Sequence, residues 1–158
     1  MLRQIRIAEQ PFDPEAEIAS FRKALRDSGA IVTFTGQVRP ISSDGSVSTL
    51  SLQHYPGMTE RCIEAMLDDA ATRWPLEAVL VIHRVGDMVP HDAIVLVATA
   101  SKHRRAAFQS ADFLMDYLKS RALFWKSETS AAGKLWVEPR EADYADAARW
   151  DEEPPGGR

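Results

Sequence analysis

The spacing of apolar residues changes several times along the chain, and each change marks an element. Ile18, Phe21 and Leu25 fall on one side of a helix that Asp13 caps and Pro14 opens. Glu15 and Glu17 favour its positive end, and Gly29 is the expected stop. AIVTFTG, from Ala30, reads as a strand, RPISSDGS as a mobile loop, and VSTLSLQHY as a second strand. After the Pro56-Gly57 turn, Ile63, Met66, Leu67, Ala70, Ala71 and Trp74 recur at helical spacing until Pro75. AVLVIHRVG and AIVLVATA flank GDMVPHD and predict a hairpin of buried strands. A long helix from about Ser101 to Arg121 places Ala107, Phe108, Ala111, Leu114, Met115 and Leu118 on its core side. FWKSE and KLWVE, separated by TSAAG, predict another hairpin, and a short helix ends near Trp150. DEEPPGGR, residues 151–158, reads as a disordered tail.

Helices alternating with antiparallel strand pairs make the fold class α+β, and no linker or repeat divides residues 1–150. A chain of 158 residues, 45% hydrophobic and 27% charged, fills one domain and not two. Its net charge of −4 excludes a general nucleic-acid binder, which needs a basic field over a whole face. One cysteine, Cys62, excludes a disulfide framework and a thiolate-rich zinc site. MLRQIRIAEQPF lacks a signal-peptide apolar core and no apolar run reaches membrane-spanning length, so the expectation is a cytoplasmic protein that meets no membrane.

Positive charge is instead local. Lys102, His103, Arg104 and Arg105 stand where a strand hands over to the long helix. A helix N-terminus already carries partial positive charge and unpaired amides, so four cations there favour a small anion, unless neighbouring carboxylates simply neutralise a solvated turn. At the other end, Lys119, Arg121 and Lys126 are close in sequence, and like charges favour loss of one proton, which makes a lysine a base or nucleophile. The alternative is that Lys119 and Arg121 only complement the helix dipole. His103 and Lys119 are sixteen positions apart, about 24 Å along a straight helix, so one small ligand reaches both only if a second copy supplies one of them. Arg39, before Pro40 and the loop, could clamp a phosphate or carboxylate through two parallel hydrogen bonds, or could simply be solvated. The spacings of His54, His83, His91 and His103 match no metal-ligand motif. Ser101 and Ser127 lack a nucleophile elbow, and Cys62 sits among apolar helix positions.

GAIVTFTGQVRP, HYPGMTER, RWPLEAVLVIHRVGDMVPHD, ASKHRRAAF, FLMDYLKSRALFWKSE and WVEPREADYADAARW occur in this order from Gly29 to Trp150. Together they resemble the large, catalytic subunit of molybdopterin synthase. The resemblance implies a homodimeric α/β hammerhead-like fold and a sulfurtransferase of molybdenum cofactor biosynthesis. It implies a small ubiquitin-like partner whose C-terminal glycine carries a thiocarboxylate, cyclic pyranopterin monophosphate as the small-molecule substrate, and a site shared between protomers in a heterotetramer. It implies no metal and no organic cofactor. Carried over to this chain, Lys119 and Lys126 are the catalytic pair, Lys119 for proton transfer or, as a variant, a covalent adduct. Arg39, His103 and Arg104 take the substrate phosphate, with Arg140 as a further candidate for it, and Phe34 and Met115 are either pocket walls or core residues. Trp125 and Trp136 are either anchors for the partner's tail or core residues. The rival reading is a noncatalytic module that binds a phosphorylated nucleotide or an acidic tail.

Three positions depart from the pattern of that family: Gln53, His91 and Leu123. His91 replaces a turn glycine, so the expectation is a different turn geometry there. Leu123 is expected to loosen the approach to Lys126.

Overall fold

The computed structural model describes residues 1–42, 45–122 and 124–151. In chain order the elements are β1 (Leu2–Ala8), α1 (Pro14–Ala24), β2 (Ala30–Gln37), β3 (Ile41–Ser42), β4 (Gly45–Ser46), β5 (Thr49–His54) and α2 (Met58–Arg73). They continue with β6 (Leu76–Arg84), β7 (Gly86–Met88), β8 (Ala93–Ser101), α3 (Arg104–Ser120), β9 (Phe124–Ser130), β10 (Gly133–Val137) and α4 (Glu141–Ala148).

Strands β6 and β8 read as unbroken apolar runs because both their faces are covered. Val79, Val81, Val95 and Val97 face one way and meet Ile63 and Leu67 of α2 and Phe113 and Leu114 of α3. Ala78, Leu80, Ile82, Leu96 and Ala98 face the other way and meet Phe21 of α1. The two strands pair antiparallel at the centre of a four-stranded sheet of order β1-β6-β8-β2. A second sheet, β10-β9-β5-β7, is antiparallel throughout and has its own small core of Leu50, Leu52 and Met88 with Val38. The α+β class and both expected hairpins are present.

The structure differs from the expected elements in five places. The N-terminal segment is a strand, β1, parallel to β6; its alternation is obscured by Arg3 and Arg6, which pair with Asp68 and Glu17. Helix α1 ends at Ala24, with Leu25 already extended, because the next residues are taken up by Glu77, which accepts from Arg26 N at 2.7 Å and Asp27 N at 3.1 Å. The expected mobile loop carries the short β3–β4 pair, although Ser43 and Asp44 lie outside the described residues. Within GDMVPHD, residues 86–88 leave the hairpin to pair with β5 as β7. Phe108 was expected in the core but is 63% exposed, since the inward faces at that level are held by Ala107 and Ala111. Leu123 and residues 152–158 of the expected tail lie outside the described residues, and Asp151 is ion-paired to Arg121 at 2.7 Å.

Candidate functional site

Arg39 owes its position to Val38, a buried residue just past the end of β2. Two backbone bonds of 2.9 Å, Val38 N to Asp92 O and His91 N to Val38 O, clamp Val38 to the 89–92 turn. That turn is closed by Asp92 N to Val89 O at 3.1 Å and Val89 N to Asp92 Oδ2 at 3.0 Å. His91 sits in it with φ 75°, so the glycine-type geometry is kept and the expected change of turn does not occur. The left-handed conformation is tolerated because the neighbouring bonds fix it, at a cost of about 1 kcal/mol or more.

Lys126 enters the same region from the second sheet. On β9 it lies opposite Leu52 of β5 and Val137 of β10. Arg39, Lys126 and Glu128 line one cleft whose floor is Val38, Leu50 and Ile94, and the Lys126 ammonium is 3.1 Å from Glu128 Oε1. The free volume is only about 40 Å³, far below the roughly 300 Å³ or more that encloses an organic ligand. The single chain therefore presents part of a binding surface.

Lys119 occupies the last turn of α3, and its Nζ is 3.8 Å from Asp143 Oδ1. The same oxygen is 3.6 Å from Arg140 Nη2, and the Arg140 N–H donates to Asp143 Oδ2 at 2.8 Å. Burial alone would raise the Asp143 pKa. The Arg140 amide, the Lys119 charge and the Arg140 guanidinium outweigh it and hold the carboxyl below its usual value. Helix α4, which carries Asp143, is fixed to α3 by Arg149, whose Nη2 lies 2.8 Å from Asp112 Oδ2 and 2.7 Å from Asp116 Oδ2. The Trp150 indole donates to that same Asp116 oxygen at 2.7 Å. Arg140 follows Val137 by three residues, at most about 11 Å of chain, and Val137 is the strand partner of Lys126. Lys119 with Arg140 and Lys126 with Arg39 thus occupy one end of the molecule. Met115, one turn before Lys119, packs against the first core, and Phe34 on β2 is 41% exposed.

The like-charge reading of Lys119, Arg121 and Lys126 is corrected by these contacts. Each meets a carboxylate: Asp143, shared with Arg140, and Asp151 come from segments distant in sequence, whereas Glu128 stands two residues beyond Lys126 on the same strand and face. Asp143 and Glu128 are the site residues the sequence reading missed. Asp143 had a visible signal, standing three places after Arg140 where a first-turn carboxylate meets helix amides.

The basic turn lies elsewhere. His103 is the extended N-cap of α3 (φ −125°, ψ 140°), without a side-chain cap. Lys102, His103, Arg104 and Arg105 are all exposed, and among the described residues none has a carboxylate within ion-pair distance. The turn is built tightly: a Cβ on Gly29 would stand 2.6 Å from the Lys102 carbonyl oxygen, and Ser101 Oγ donates to Pro75 O at 2.8 Å. Glu77 holds the 26–28 segment beside it, and its pKa is lowered by the Ser28 hydroxyl first and then by the Arg26 and Asp27 amides. Since α3 runs unbroken from Arg104 to Ser120, His103 and Lys119 are about 24 Å apart. Strand β2 makes the same separation, with Ala30 paired to Ser101 near the basic turn and Arg39 beyond its far end. The structure joins Arg39 to Lys126 and Lys119 to Arg140, and it leaves His103 and Arg104 at the opposite end.

Among the described residues no three His, Cys, Asp or Glu side chains gather as a metal site, and no helix is long and apolar enough to cross a membrane. His83 is buried and stacked on Phe124 with centroids 3.9 Å apart; burial first, then His54, overcome the opposing contact with Arg84 O and push its pKa down to about 4.

The sequence profile of the family described as MoaE protein matches residues 7–121. The molybdopterin synthase catalytic subunit of Cereibacter sphaeroides is 49% identical over 147 residues, covering 93% of this chain and 99% of the relative. That of Escherichia coli K12 is 48% identical over 147 residues, covering 93% and 97%. The solved structure of the molybdopterin biosynthesis MoaE protein from Burkholderia ambifaria superposes with a TM-score of 0.80 at 45% identity, over 97% of this chain and all of the other. Similarity of this depth, over nearly the whole length on both sides, means that the chain belongs to the MoaE family.

Proposed function

We propose that this chain is the catalytic subunit of a molybdopterin synthase. It takes sulfur from the C-terminal thiocarboxylate of a small ubiquitin-like partner and transfers it to cyclic pyranopterin monophosphate, building the dithiolene of molybdopterin in the cytoplasm. The observation that carries this reading is the convergence of Arg39 and Lys126 in one shallow cleft, with Lys119 and Arg140 at the same end of the molecule.

Each role follows from charge and reach. Arg39 is a planar donor fork held by the Val38 clamp, suited to a phosphate or carboxylate. Lys126 lies beside it as a point charge for the anionic thiocarboxylate, with Glu128 setting the ammonium's position until the anion arrives. Lys119 is the proton-transfer group, oriented by Asp143, and Arg140 shares that carboxylate and can swing to the substrate phosphate. Phe34, exposed on β2, is the apolar wall assigned to the site, whereas Met115 is taken up by the first core. His103 and Arg104 complete the anion site from a second copy, because 24 Å of helix keeps them from their own Lys119.

The test is reconstitution with the purified small partner in thiocarboxylate form and the pterin phosphate. Dithiolene product should form with the wild-type chain and fall by about 100-fold or more in Lys119→Ala, while affinity for the small partner changes little. Stoichiometric binding of the pterin phosphate with no product from the wild-type chain would overturn the proposal in favour of a noncatalytic phosphate-binding module.

A further inference from the structure

Strand β6 carries one residue too many at its start. Leu76 lies opposite Ser101 of β8 and Ala78 opposite Ala100, so Glu77 between them is left out of the register. Leu76 and Val79, three residues apart, both pack on the first core, whereas strict alternation would put them on opposite faces. Glu77 is thus the extra residue of a β-bulge, a device that re-aims a side chain. In a regular strand it would share the face of Val79 and point towards α2 and α3. The bulge sends it instead to the segment between α1 and β2, where it accepts from Arg26 N at 2.7 Å, from Asp27 N at 3.1 Å and from the Ser28 hydroxyl.

The sheet order β1-β6-β8-β2 gives this contact a use. Glu77 belongs to β6 and the 26–28 segment leads into β2, and these two strands flank β8, about 10 Å apart. Their link therefore spans the end of β8 at Ser101, directly before the basic turn. Ser101 lies between Leu76 on one side and Ala30 on the other, and its Oγ donates to Pro75 O at 2.8 Å. Gly29, next after Ser28, backs onto the Lys102 carbonyl so closely that a Cβ would stand 2.6 Å from its oxygen. The turn itself has little to hold it: His103 caps α3 without a side-chain hydrogen bond, and Lys102, His103, Arg104 and Arg105 are exposed. After the Ser28 hydroxyl and the two amides, the Lys102 charge also lowers the Glu77 pKa, so this carboxylate lies within electrostatic reach of the turn.

We propose that Glu77 is a positioning residue for the phosphate end of the site: through the 26–28 segment and Gly29 it fixes the basic turn, and so sets where His103 and Arg104 meet the substrate phosphate. This rests on the functional reading above and adds the group that holds its anion site in place. Glu77 acts only through the turn, since its oxygens are already taken by three donors.

The experiment compares sulfur transfer by the full chain as wild type, Glu77→Ala and Glu77→Gln, with the thiocarboxylated partner and the pterin phosphate. Glu77→Ala should raise KM for the pterin phosphate about 10-fold and leave KM for the small partner unchanged. Glu77→Gln keeps an acceptor oxygen for the two amides and should recover most of that loss. A lower Tm in Glu77→Ala with both KM values unchanged would mean a brace for the sheet alone and overturns the proposal, as does a Glu77→Gln chain no better than Glu77→Ala. A second readout needs no turnover. The His103 ring resonance, followed by NMR during titration with inorganic phosphate, should need about 10-fold more phosphate in Glu77→Ala than in the wild type, and equal midpoints overturn the proposal. Should Glu77→Ala fail to fold, Ser28→Ala removes the hydroxyl contact alone and carries both measurements, with a rise of about fivefold expected and unchanged values counting against the brace. A wild type that makes no product while the phosphate midpoints still differ sinks the functional reading and leaves the positioning role standing.

Discussion

Gly29→Ala separates a packing argument from a conformational one by the sign of its effect. Gly29 does not adopt a left-handed backbone, so an alanine there has no dihedral penalty and, given room, would stabilise the protein by about 0.4–1 kcal/mol through the unfolded chain. There is no room. The added methyl would lie 2.6 Å from the Lys102 carbonyl oxygen, about 0.8 Å inside ordinary contact. That oxygen is backbone, fixed between the end of β8 and the start of α3, so it cannot rotate away as a side chain would. Overpacking of this kind costs about 1–3 kcal/mol, and for a chain of this size each kcal/mol lowers Tm by about 2–4 °C. The expected result is a Tm lower by roughly 2–12 °C, measured by calorimetry. A shift of nearly 1 Å in the turn also displaces His103 and Arg104, so sulfur transfer should fall by about 10- to 100-fold, with affinity for the small partner unchanged. An alanine variant as stable as the wild type, with an unchanged rate, would refute the claim that this contact sets the basic turn.

Three more outcomes follow from particular contacts. His83 has a folded pKa near 4 against an ordinary 6.5, so it stabilises the fold fully above about pH 6.5 and that contribution is lost as pH falls towards 4. Denaturant titrations at pH 7 and pH 4 should show His83→Gln losing roughly 3 kcal/mol less over this range than the wild type, and equal acid slopes would contradict it. Asp116→Ala removes the acceptor shared by Arg149 and Trp150, so it should destabilise by about 2 kcal/mol and lower turnover as α4 carries Asp143 away from Lys119. An unchanged rate in that variant would mean that α4 does not position Lys119. His91→Gly relieves a left-handed non-glycine residue and should raise stability by about 1 kcal/mol without changing activity, whereas a loss of stability would show that the His91 side chain itself holds the turn.

What was legible in the chain was what one local rule decides. The apolar runs of β6 and β8, the 3.6-residue recurrence through α2 and the hairpin of β9 and β10 all follow from period and turn chemistry, and the structure contains them. Strand β1 was hidden because its partner, β6, lies more than seventy residues away and its two arginines are satisfied only in three dimensions. Phe108 sits at core spacing but faces out, since period gives the side of a helix and not how far the covering layer extends. The cations of the site were visible as residues, and Glu128 stands at same-face strand spacing from Lys126, but the pairing of Asp143 with Lys119 was not visible: it comes through the docking of α4, which depends on Arg149 and Trp150 finding Asp116. The left-handed His91 shows that a turn held by four bonds from Val38, Val89 and Asp92 can impose its geometry on a residue that does not favour it.

The central claim is that one active centre is assembled from opposite ends of two chains, and mixed dimers test it most directly. Lys119→Ala and His103→Ala chains are each inactive as pure dimers on this account. Unfolded and refolded together, half of the dimers pair one of each, and each mixed dimer holds one site with both residues intact, so sulfur transfer should return to about a quarter of the wild-type rate. No recovery in a sample shown by mass spectrometry to contain mixed dimers would contradict the shared site.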